Sequence, residues 1–70
     1  MRYATVIEKA PANCAAYVSD LPGCIAVCTT VSETESLLRE AIELHLEGLK
    51  ADGLPIPPPS SQVEYVDVPA

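Results

Sequence analysis

The run YVSDLPGCIAVCTTVSETESLL, residues 17–38, decides the fold: it holds the end of one strand, a reversal, a second strand and the start of a helix in one uninterrupted stretch. Asp20 can accept hydrogen bonds from nearby backbone, Pro22 presets φ for a turn and Gly23 tolerates a positive φ, so the centre reads as a tight reversal. CAAYVSD before it and CIAVCTT after it read as strands over about residues 14–19 and 24–29. Thr30-Val31-Ser32-Glu33 then fits a capping box, in which Thr30 accepts from the third helical N–H and Glu33 reaches back. Ser32 with Glu35 offers a second register, which leaves the helix start open by two residues.

Working outward, RYATVIEK reads as a strand over about residues 2–9 and APAN breaks it. With short connections, the first three strands form an antiparallel meander. Thr34, Leu37, Leu38, Ala41, Ile42, His45 and Leu49 recur at three- and four-residue steps and define the inner face of a helix over about 31–52, with Gly53 as its left-handed cap. The prolines of LPIPPPSS, 54–61, make an extended connector. QVEYVDV alternates, with Val63, Tyr65 and Asp67 on one side and Glu64, Val66 and Val68 on the other, and predicts a fourth strand over 62–68. The expected fold is one α+β domain over 1–70 of order β-β-β-α-β. A right-handed crossover sets the fourth strand parallel beside the first, and the helix covers one sheet face.

With 70 residues, the chain can bury only roughly 60% of its unfolded surface, and it has neither Phe nor Trp to fill a core. Self-association into a dimer is the expected remedy, since the sheet also leaves two edges open. Ten Asp and Glu against four Lys and Arg, a net charge of −6, leave no basic patch for phosphates, which argues against direct nucleic-acid binding. The same acidity suits a basic protein partner, although it also serves plain solubility. No apolar run approaches the roughly 18 residues of a membrane span, and MRYATVIEKA has no signal-peptide character, so a cytoplasmic location is expected.

Reactive residues are scattered. Cys24 and Cys28 share a strand face about 13 Å apart, too far to grip one ion, and Cys14 lies opposite Cys28 in only one of two registers. Small hydrophobes are the simpler reading of all three. His45 sits on the inner helix face without an Asp or Cys partner, and Glu40, Glu43 and Glu47 line a flank that solvation explains. There is no Gly-x-Ser-x-Gly elbow and no phosphate-cradling glycine loop. The sequence therefore predicts no catalytic residue, metal or cofactor. Its candidate binding residues are those of the reversal, Asp20, Leu21, Pro22 and Gly23, with Leu21 expected as an exposed apolar side chain on a rigid mount.

YVSDLPGC at 17–24, a Thr at 30 opening an amphipathic helix, and LHLEGLKADGLPIPPPS at 44–60 together resemble the HicB-type antitoxins, over Tyr3 to Val68. The resemblance implies a degenerate ribonuclease-H-like fold and the neutralisation of a small basic mRNA-cleaving toxin of the HicA type. Such antitoxins carry a C-terminal DNA-binding domain that is absent up to Ala70, so direct operator binding is not expected. The first strand, Tyr3-Ala4-Thr5-Val6-Ile7, lacks the carboxylates of true ribonuclease H enzymes, so nuclease activity is not expected either. The alternatives are an orphan homo-oligomeric interaction domain with no toxin and, more remotely, an enzyme using Glu8, Glu40, Glu43 or His45.

Overall fold

The computed structural model describes residues 1–69; Ala70, the last residue of the expected domain, lies outside them. The elements are β1 (Thr5–Lys9), β2 (Cys14–Val18), β3 (Ile25–Cys28) and α1 (Val31–Ala51), with the strands in one antiparallel sheet of order β1-β2-β3. The register pairs Val6 with Tyr17 and Ile7 with Ala16, and then Tyr17 with Ile25 and Ala16 with Ala26. Each strand is shorter than its sequence pattern, because pairing and not propensity sets where a ladder ends.

The decisive stretch folds as two consecutive β-turns. Leu21 N–H donates to the Val18 carbonyl at 3.3 Å, and Cys24 N–H donates to the Leu21 carbonyl at 3.2 Å. In the second turn Pro22 supplies the fixed φ and Gly23, at φ +87°, the left-handed position of a type II turn. Thr30 is the N-cap: Glu33 N–H donates to its Oγ1 at 3.2 Å. The Glu33 carboxylate turns to two hydroxyls, accepting from Thr30 Oγ1 at 2.9 Å and Thr29 Oγ1 at 3.1 Å. At the other end Gly53 has φ +68°, Gly53 N–H donates to the Lys50 carbonyl and Leu54 N–H to that of Leu49, which is a Schellman motif.

The core is Ala16, Val18, Leu21, Cys24, Ala26 and Leu38, with Tyr3, Ile7, Ile42 and Leu46 packed against it. Small residues at Ala16, Cys24 and Ala26 let α1 lie close on the sheet, where Leu38 supplies the bulk. Thr34 is fully buried, and its hydroxyl is satisfied at 2.7 Å by the Thr30 carbonyl one turn back. Two expectations for the helix face change: Leu37 is exposed, and Leu46 packs inward. The buried stripe is centred on the Thr34-Leu38-Ile42-Leu46 row, with i to i+4 spacing.

The predicted fourth strand is corrected. Residues 62–68 form no ladder within the chain, and all are exposed. Alternation gives the segment the capacity to pair, but a strand exists only with a partner in register, and neither of the chain's own edges takes it. Among the described residues no helix is long and apolar enough to cross a membrane.

Leu38→Ala should lower unfolding free energy in urea by about 2–5 kcal/mol. Leu44→Ala, at an exposed position, should change it by less than about 0.5 kcal/mol.

Candidate protein-binding surface

Asp20 is the most heavily engaged polar side chain among the described residues. Its Oδ2 accepts from the backbone N–H of Ser60 at 2.9 Å and of Ser61 at 3.0 Å, and its Oδ1 accepts from the two serine hydroxyls at 3.0 and 2.8 Å. Four donors converge on one carboxylate, hold it in its charged form and lower its pKa to about 2. Asp20 thus closes the connector onto the β2–β3 turn, forty residues back in sequence. Tyr3 adds a second tie, its hydroxyl donating to the Pro57 carbonyl at 2.6 Å. Prolines at 57, 58 and 59 have no N–H to bond elsewhere, so carbonyls and the two serines carry the attachment.

The reversal itself is not the surface expected of it. Leu21 is 0% exposed and belongs to the core, so it anchors the turn from inside instead of standing at its tip. Pro22 and Gly23 are exposed, and Asp20 is partly so.

The larger apolar surface lies on the sheet. Because α1 covers one face, the other is open, and strand alternation places Val6, Ala15, Tyr17, Ile25 and Val27 on it. Ile25 is 64% and Val27 53% exposed. Val6, Tyr17 and Ile25 form one cross-strand row, and Glu8, Ala15 and Val27 the next. Nothing in the composition announced this face, though the alternation of β3 contained it: with Ala26 inward, Ile25 and Val27 must face out.

A second feature lies beside β1. A groove of about 570 Å³ runs between the start of the chain and α1, with Leu38, Ile42 and Leu46 along the helix side, Thr5 on the strand side, and Arg2 and Arg39 balanced by Glu35 and Glu43 in its lining.

The remaining candidates do not converge. Cys14 and Cys28 are cross-strand partners, which settles the register, and all three cysteines are free thiols. Burial raises the Cys24 pKa, which makes that thiol a poorer nucleophile. His45 is half-buried on the helix, and Glu40, Glu43 and Glu47 are exposed. Among the described residues no three His, Cys, Asp or Glu side chains come together as a metal site.

The family model described as a HicB-like antitoxin of bacterial toxin-antitoxin systems matches residues 3–70. An uncharacterised 14.9 kDa protein from the rep-hol intergenic region of Haemophilus phage HP1 is 33% identical over 69 residues, covering 99% of this chain and 52% of the phage protein. The chain therefore spans about half the length of that relative. No solved structure matches at a significant level.

Because the folded pKa of Asp20 lies below its ordinary value of 3.8, its hold on the connector is present above about pH 4 and is lost as pH falls through about 2. In an NMR titration the Ser60 and Ser61 amide shifts should move together across that window. Asp20→Asn should speed their hydrogen exchange at pH 7 while leaving the strand amides protected. Alkylation by iodoacetamide should reach the half-buried Cys28 before Cys14 and Cys24, which are buried.

Proposed function

The chain belongs to the HicB-like antitoxin family of bacterial toxin-antitoxin systems, and we propose that it neutralises a small, basic, mRNA-cleaving toxin of the HicA type by covering it. The family match over residues 3–70 carries this reading. Ten acidic against four basic side chains supply a field complementary to a protein that binds RNA. The open sheet face supplies the apolar centre that a stable interface needs, with Tyr17, Ile25 and Val27 as its anchors. Exposed Pro22 and Gly23 add a rigid turn between β2 and β3. On this reading the chain performs no catalysis. It acts in the cytoplasm, where such a toxin meets its messenger targets, and it acts as an oligomer. The reading includes the degenerate ribonuclease-H-like arrangement that the family resemblance implies.

The purified protein should capture a small basic ribonuclease encoded beside it, and capture should weaken between about 0.1 and 1 M salt as surface charge is screened. Ile25→Glu, at an exposed position, should keep the fold by circular dichroism and reduce capture tenfold or more. Absence of a complex even at low salt would refute the reading.

A further inference from the structure

Two of the three free thiols, Cys14 and Cys28, stand opposite each other across β2 and β3. Val18 N–H donates to the Cys24 carbonyl and Ser19 N–H to that of Ala4. By antiparallel alternation the backbone groups of Cys14, Ala16 and Val18 therefore point to β3, and those of Ala15 and Tyr17 to β1. Cys14 and Cys28 are thus a hydrogen-bonded pair, and the Cα atoms of such a pair lie about 5.5 Å apart. A disulfide most often spans roughly that distance, 5.5–6 Å. Both side chains lie on the face beneath α1, since Ala16 and Ala26, two residues further in along each strand, belong to the core. Cys14 is buried yet stands outside the core cluster, and the first turn of α1 lies against it, with the Thr34 hydroxyl 3.5 Å from the Cys14 carbonyl. Cys28 is half-buried, within reach of a small solute. Cys24 is buried beside Val18 and has no thiol across from it.

We infer that Cys14 and Cys28 form a reversible oxidation site: a low-molecular-weight disulfide converts them to a cross-strand disulfide, and a thiol reductant restores them. The Cys28 thiolate attacks one sulfur of the reagent, forms a mixed disulfide and releases the other half as a thiolate. Cys14 Sγ, having given up its proton, then attacks Cys28 Sγ and displaces the second half. The protein loses two protons and two electrons, and the reagent takes both and leaves as two thiols. Cβ atoms across such a strand pair stand about 5 Å apart, wider than the roughly 3.8 Å of a relaxed disulfide, so the strands must draw together and the bond stays easy to reduce. The bond closes a loop of about 15 residues around the 18–24 turn, and ties the hairpin at the end that the turn leaves open. Tyr17, Ile25 and Val27 project from the other side of the sheet, so the bond leaves the docking face as it is.

The native full chain, held with excess glutathione disulfide, should lose the mass of two hydrogens and retain no glutathione. Cleavage before Asp20 should then leave residues 1–19 joined to the peptide that holds Cys28. Cys24→Ala should keep the bond, Cys28→Ala should leave Cys14 as a thiol, and Cys14→Ala should stop with one glutathione held on Cys28. Each variant exchanges one small side chain for another, and circular dichroism checks that sheet and helix persist. On oxidation the Ala16 and Ala26 amides should exchange about tenfold more slowly or better, and dithiothreitol should reverse the change. A wild type that keeps three thiols, a bond that survives Cys28→Ala, or a product that links two chains would each overturn the inference. None of these measurements involves a toxin, so their failure leaves the antitoxin reading standing and a failed capture leaves this inference standing.

Discussion

One helix covers three strands from one side, and the rest of the structure follows from that constraint. The contact is close because the sheet offers small side chains, Ala16, Cys24 and Ala26, beneath Leu38 and the buried Thr34. Among the described residues α1 has no companion helix, so burial stops at that single layer. The opposite face and the β1 edge remain uncovered, the face with Ile25 and Val27 exposed and the edge with unpaired backbone groups.

The turn at 18–24 links this core to the C-terminal connector. Leu21 points inward and fixes the turn to the core; Asp20, next to it, points outward and fixes the connector to the turn. Adjacent residues on one short loop therefore divide two tasks, one driven by loss of water from an apolar side chain and the other by a charge gathering four donors. The division explains why the loop needs a rigid Pro22-Gly23 turn, since a loose turn would let both anchors drift.

Much of this was legible in the residues. The three strands, the Thr30 cap, the Gly53 stop and the proline connector each rest on local chemistry that operates within a few residues, and all appear, the strands shorter than their pattern. Position relative to the core was harder to read. Leu21 looked exposed because apolar residues in turns carry no periodicity to show which way they face. Leu37 and Leu46 exchanged roles because a small rotation of the helix stripe favours the i, i+4 row through Leu38 and Ile42. The alternation of 62–68 was real, but pairing is a relation between two segments and a single segment's pattern does not name its partner. The link from Asp20 to Ser60 and Ser61 joins residues forty apart, a distance at which side-chain chemistry alone carries no signal.

Every regular element ends by Ala51, and the connector is tied back chiefly through one carboxylate and one tyrosine hydroxyl. Local pairings of hairpin and helix close short loops, whereas the Asp20 attachment must await the closure of a long one. By loop length alone, the sheet and helix close before the connector is fastened. In the finished molecule the fastening is correspondingly the first part to open, and it does so while the core stays shut.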